Sequence, residues 1–149
     1  MGMYAALGIS ATGLSAQRLR MDVVANNLAN VDSTFGPGQA YRRKEIVMTA
    51  APDGPAFSLP GLVTSRPSGA ADLRGVQVTG IVEDTRHAMR RVYEPGHPHA
   101  DAQGYVTKPN VNAVTEMVDL VAATRSYQAN VTTFDATTQM ALETLKVLR

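Results

Sequence analysis

A chain of 149 residues with 14 basic and 13 acidic side chains, a formal net charge of +1, has no strong field to draw in nucleic acid or an anionic membrane. It contains no cysteine, which excludes disulfides, thiol catalysis and thiolate metal sites and leaves the redox compartment open. The length suits a single domain with a moderate core, and no stretch is apolar for long enough to span a bilayer.

The first predicted element is a helix within residues 1 to 33. The start at Met1 carries no charge before Arg18, so a cleaved secretory signal is not expected, and Ala6 stands where myristoylation needs Ser or Thr. At 100° per residue, Leu7, Leu14, Met21 and Leu28, with Val24 and Val31 beside them, form a stripe of nearly seven-residue period suited to coiled-coil packing. Ile9, Ala16, Leu19 and Val23 form a second stripe roughly opposite, which Asn26, Asn27 and Asn30 continue where the apolar character ends. Two uses of these amides stay open. Asn30 could end the helix in a left-handed conformation, or the amides could make hydrogen bonds to another chain.

Residues 34 to 109 hold nine basic and seven acidic groups, with glycine and proline concentrated in "FGPG", "APDGP", "LPG", "RPSG" and "YEPGHP". Partial alternation predicts short strands in 41 to 50, 75 to 84, 86 to 94 and 104 to 107, enough for a small sheet. Arg42-Arg43-Lys44 reads as the solvated start of the first strand, because aromatic residues beyond Tyr41 are missing. Glu94-Pro95-Gly96-His97 suits a type II turn, with positive φ at Gly96.

The last predicted element, within 110 to 149, is a second two-faced helix. Met117, Leu120, Tyr127, Val131, Phe134, Leu142 and Leu145 form a broad apolar face; Val114, Val118, Val121, Ala129, Ala136, Met140 and Val147 form another. Ser126, Asn130, Thr133, Thr137 and Thr144 make an uncharged polar strip between them. If the terminal helices pair, each uses one face, and the second faces need more core or other subunits. Threonine-rich helices of this kind are marginal alone, so the termini are expected to gain stability on assembly. The fold class expected is mainly α with a small β region: long N- and C-terminal helices paired as a coiled coil, with a short-stranded, β-rich loop region inserted between them. The division expected is 1–33 plus 110–149 as a terminal helical unit, and 34–109 as a β-rich middle with Pro- and Gly-rich loops.

His97, His99 and Asp101, with His87 on a nearby strand, are the one metal-like constellation, and a small metal-dependent enzyme is the alternative function. Pro98 separates the two loop histidines, and no HExxH spacing, nucleophile elbow, phosphate loop or GxGxxG is present, so solvated loop histidines are the simpler reading. No catalytic, cofactor-binding or metal residue is assigned.

"NNLAN" (26 to 30), ending a helix before a loop and an aromatic-basic step, resembles the signature of bacterial flagellar rod, hook and related axial proteins. "EMVDLVAATRSYQANVTTFDATTQM" (116 to 140) resembles the closing helix of the same group, and "STFGPGQAYRRKE" with "YEPGHPHADAQGYVTKPNVN" is similar to its proximal-rod members. The stretch from Asp53 to Gly75 aligns with no pattern of the family. The resemblance implies a structural, non-enzymatic subunit of the basal-body rod, the periplasmic shaft that carries motor torque to the hook, exported by the flagellar type III apparatus without a cleaved signal. Its implied partners are the rod proteins FlgB, FlgF, FlgG and FliE and copies of itself, with no nucleic acid, no membrane insertion and no cofactor. Helix-face assembly contacts are expected from Leu7, Leu14, Met21, Val24, Leu28, Val31, Leu120, Tyr127, Val131, Phe134, Leu142 and Leu145. The motif carries interface and fold roles to Asn27, Ala29, Asn30, Arg42, Arg43, Gly104, Tyr105, Asn110, Asn112, Glu116, Met117, Tyr127, Gln128 and Asn130.

Overall fold

The computed structural model describes residues 3–34, 40–51 and 75–147. Most of the Pro- and Gly-rich stretch from Asp53 to Gly75 lies outside the described residues. In chain order the elements are α1 (Met3–Ala29), β1 (Lys44–Ala50), β2 (Val76–Glu83), β3 (Arg90–Tyr93), β4 (Tyr105–Lys108) and α2 (Ala113–Val147). Two long helices thus flank a small region of short antiparallel strands, as the periodicity and the distribution of glycine and proline predicted.

The helices run antiparallel. Asn27 meets Glu116, Met21 meets Thr124 and Gly13 lies under Asn130, so rising numbers on α1 oppose falling numbers on α2. With 35 residues against 27, α2 extends beyond the start of α1. Leu142 and Leu145 fall in that overhang and are exposed for this reason.

The helix ends have local causes. Asn112 caps α2: its Oδ1 accepts from the Val114 N–H at 3.0 Å and its carbonyl from the Glu116 N–H. Glu116 places an acid in the first turn and Lys146 a base in the last, complementing the helix dipole. At the end of α1 the Asn30 N–H reaches both Asn26 O and Asn27 O, Val31 N–H reaches Leu28 O, and Ser33 N–H reaches Asn30 O. The last turn therefore tightens into i→i+3 bonds. Among the described residues no non-glycine has positive φ, so Asn30 does not take the left-handed conformation that was one of the two uses left open for it. Its side chain instead folds back, Nδ2 donating to Asn26 O at 2.8 Å.

The strands form two separate two-stranded sheets, β1–β2 and β3–β4, where one small sheet was expected. In β1–β2 the pairing passes from Val47↔Gly80 to Met48↔Val78, and the extra residue, Thr79, makes a bulge. The turn after β3 closes by the His97 N–H to Glu94 O at 3.1 Å without positive φ at Gly96, so it is not the type II turn expected. Positive φ falls instead on Gly104, at 81°, just before β4, where a Cβ would lie 2.9 Å from the Tyr93 ring.

The second stripe of α1 is covered within the chain. Ala16 and Val23 are buried, and Leu19 and Val23 share a groove with Ile81 of β2. Thr12 pins the start of β2, at the loop end of the hairpin, to α1, accepting from the Val76 N–H at 3.2 Å while donating to Ile9 O. Among the described residues no such cover reaches the second face of α2, where Val114, Val118, Val121 and Met140 remain exposed. No helix among the described residues is long and apolar enough to cross a membrane.

Candidate functional site

Two features stand out: a buried polar junction, and the open apolar surface of α2. The junction lies where the end of α1, the start of β1 and the start of α2 converge. Asn27 and Glu116 are both fully buried there. The Asn27 amide treats Lys44 as a neighbouring strand would: Oδ1 accepts from the Lys44 N–H at 2.9 Å, and Nδ2 donates to the Lys44 carbonyl at 2.8 Å. Nδ2 also donates to Glu116 Oε2 at 3.0 Å. Tyr41 Oη lies 2.8 Å from both Asn26 Oδ1 and Asn27 Oδ1, and its single proton serves one of them at a time.

Arg43 closes the other side. Its Nε donates to Glu116 Oε1 at 2.6 Å, and its Nη2 lies 3.4 Å from Asp119, which in turn is 3.9 Å from Arg20. Burial works against the Arg43 charge, but the hydrogen bond to Glu116 and the nearby Glu116, Glu45 and Asp119 carboxylates outweigh it and hold the guanidinium more firmly protonated than usual. Burial first, then the charges of Glu116 and Glu83, push the Tyr41 hydroxyl up from its ordinary value. A buried carboxylate is tolerated only when paired and fully hydrogen-bonded, and Glu116 is both.

A second amide completes the frame. Asn110 Oδ1 accepts from the Arg43 N–H at 2.8 Å, while its Nδ2 donates to the Asp84 and His87 carbonyls. Asp84 holds the following turn, accepting at Oδ1 from the Arg86 and His87 N–H groups and standing 2.6 Å from His87 Nδ1. The bond from His87, helped by those backbone donors and by the imidazolium charge, lowers the Asp84 carboxyl from 3.8 to about 2. The cavity beside the cluster is about 140 Å³, lined in part by Arg20, Val24 and Met48. That is well below the ~300 Å³ at which ordinary ligand pockets begin, whereas a more open cleft lined by Arg43, Glu45, Asp84 and His87 is about 720 Å³. The chemistry of the junction is fastening, since the buried Asn27 and Glu116 groups are spent on bonds within the chain.

Arg43 therefore differs from expectation: it is a tie between β1 and α2, not a solvated strand start. Arg42 beside it is half-buried. Of the three amides, Asn27 spends all its capacity inside its own chain. Of the motif residues, the junction unites Asn27, Arg43, Asn110 and Glu116, and Asn112 stands four residues before Glu116 as its helix cap. Gly104 and Tyr105 lie apart at the β3–β4 sheet, where Tyr105 packs edge-on against Tyr93 at 5.3 Å and the Arg91 guanidinium sits over the Tyr105 ring. Ala29, Met117 and Gln128 are exposed, Asn30 and Asn130 half-buried.

Of the expected helix-face residues, Val24 is buried; Leu7, Leu14, Met21, Leu28, Val31, Leu120, Tyr127, Val131 and Phe134 are half-buried; Leu142 and Leu145 are open. The polar strip of α2 is mostly turned inward on its own helix: Ser126, Thr133, Thr137 and Thr144 each donate to the carbonyl four residues back. Asp119 and Lys44 were missed as members of the junction. Asp119 had a signal, standing three residues from Glu116 on the same helix face; Lys44 enters through its peptide group, which side-chain type does not report.

His97 is engaged both by its own loop and by the segment that follows α1. His97 Nε2 lies 3.3 Å from Thr34 Oγ1 and its Nδ1 accepts from the His99 N–H. Asp101 accepts from the Tyr105 and Gln103 N–H groups and from Arg91, which in that order hold its carboxyl below the usual range against the effect of burial. Among the described residues no group of three His, Cys, Asp or Glu is arranged to hold a metal ion.

Against known proteins, residues 7–37 match the family model described as flagella basal body rod protein, and residues 102–147 match flagellar basal body rod FlgEFG protein C-terminal. Over 153 residues the chain is 44% identical to the flagellar basal-body rod protein FlgC of Bacillus subtilis (strain 168), covering 99% of both chains. It is 37% identical to the FlgC of Borreliella burgdorferi, covering 100% of this chain and 99% of the other. It is 43% identical to the FlgC of Escherichia coli O6:H1, covering 92% of this chain and 91% of that one.

Proposed function

Since the chain belongs to the FlgC family of flagellar basal-body rod proteins, structural subunits and not enzymes, we propose that it joins the rod through the uncovered apolar faces of α2. The observation that carries this is the exposure of Val114, Val118 and Val121 on the first turns of α2, each more than half exposed, with Met140, Leu142 and Leu145 open at the far end. Apolar surface held open along one helix marks a site meant to be covered. In the rod the partners are other rod proteins, FlgB, FlgF, FlgG and FliE, and copies of this chain.

On this reading residues 1–33 and 110–149 form the axial core and 34–109 the middle region, carried rigidly by the junction. Torque then passes from subunit to subunit through close-packed helix contacts, which transmit strain because interiors of that density yield little. The subunit reaches the periplasmic rod through the flagellar type III apparatus, without cleavage.

The test is a double substitution, Val118→Asp with Val121→Asp, in cells lacking the native copy. The variant chain should keep its helicity by circular dichroism while basal bodies lack a complete rod and the cells do not swim. Normal motility would sink the reading. For the export route, the chain recovered from basal bodies should have a mass that retains the sequence before Arg18; a trimmed chain would refute it.

A further inference from the structure

We propose that the buried Asn27–Glu116–Arg43 cluster sets the register of α1 against α2, selecting the observed alignment over one displaced by a heptad. The apolar pattern is a weak guide to register. Leu7, Leu14, Met21 and Leu28 recur every seven residues, so sliding one helix by ~10 Å presents nearly the same surface again. The side chains that α2 buries most deeply are Glu116, Ala123 and Thr137, one charged and two small, while its large apolar Leu120, Tyr127, Val131 and Phe134 are only half-buried.

Charge pairing by itself does not decide either. Arg20 stands one heptad before Asn27 on α1, so in the displaced alignment Glu116 would face Arg20 and still find a cation. What only the observed alignment supplies is closure. Glu116 Oε2 receives Asn27 Nδ2 at 3.0 Å while Oε1 receives Arg43 Nε at 2.6 Å, and Asn27 and Arg43 are themselves fixed through the peptide groups of Lys44 and Arg43. Displacement withdraws the carboxylate from both and strands polar groups in a closed site, the penalty by which one buried polar contact specifies register in helix pairs.

The absence of native cysteine makes the test clean. Gly13 and Asn130 touch in the observed register, a Cβ on Gly13 lying 2.9 Å from Asn130 Nδ2. Ala123 stands one heptad away and would meet position 13 after displacement. Full-length chains carrying Gly13→Cys with Asn130→Cys, or Gly13→Cys with Ala123→Cys, are oxidised mildly and the intramolecular disulfide is quantified. The parent should cross-link in the first pair and not in the second. With Asn27→Leu, Arg43→Met and Glu116→Leu added, the chain should keep its helicity, the first cross-link should fall at least twofold and the second should appear. An unchanged first cross-link with no second one overturns the proposal. So does loss of helicity, which would make the cluster a source of stability in place of register, and so does a parent that fails to cross-link in the first pair.

Discussion

The side-chain amide of Asn27 and the peptide groups of Lys44 are joined at both ends, N–H to Oδ1 at 2.9 Å and Nδ2–H to carbonyl at 2.8 Å, so one helical side chain stands in for a neighbouring strand. The same Nδ2 reaches Glu116, on the other helix. One carboxamide thus fastens three segments of the chain.

Removing that amide should be costly. Asn27→Ala leaves both Lys44 peptide groups and one Glu116 oxygen short of a partner, and unmet buried groups cost about 1–3 kcal/mol each, so a loss of roughly 3 kcal/mol is expected in urea unfolding. A loss below ~1 kcal/mol would mean that water replaces the amide freely.

Asn27→Asp tests the donor specifically. It keeps the shape but sets a carboxylate against Glu116, where Nδ2 now lies 3.0 Å away. A like-charged pair binds a proton more tightly in the folded than in the unfolded chain, so stability should rise as pH falls from 7 towards 5. Urea midpoints at the two pH values check the sign; a midpoint that falls with the pH counts against the arrangement.

Asp84 should titrate with a midpoint of about 2, read from its carboxyl carbon shift, and His87→Ala should move that midpoint up towards 3.8. The folded value lies below the ordinary one. The stabilisation is therefore fully present above the ordinary value and is lost as pH falls through about 2. A midpoint unmoved by His87→Ala would assign the shift to the backbone donors alone.

Gly104→Ala should destabilise by about 2 kcal/mol, since a left-handed backbone costs an ordinary residue ~1–2 kcal/mol and the added methyl presses on a ring. That ring is Tyr93, which also packs against Tyr105, so the tyrosine signal in near-ultraviolet circular dichroism should change together with the melting temperature.

Two valines should separate folding from assembly. Val106 is fully buried while Val118 is mostly exposed. Val106→Ala removes two buried carbons and should cost about 2 kcal/mol in the free chain, whereas Val118→Ala should cost less than ~0.5 kcal/mol there. Equal losses in urea unfolding would mean that the α2 face is covered within the monomer.

Two helices around a broken, strand-forming middle were legible from spacing alone, because helical periodicity and chain-breaking residues act on neighbours a few positions apart. The stripes on α1 and α2 were legible too, but not which of them would be covered. That depended on where the β1–β2 hairpin lies, and the hairpin packs beside Leu19 and Val23 of α1 while Val118 of α2 is open. The turn at Gly96 and the end of α1 at Asn30 departed from residue preference because their hydrogen bonds could close without positive φ. In "NNLAN" the motif itself was plain in the sequence, yet the work of Asn27 was hidden, since its partners lie 17 and 89 residues along the chain. Local pattern determined that helices form here. Only tertiary structure decided that an amide from one, a carboxylate from the other and an arginine just before a strand would meet, because a buried charge settles where the whole fold can satisfy it.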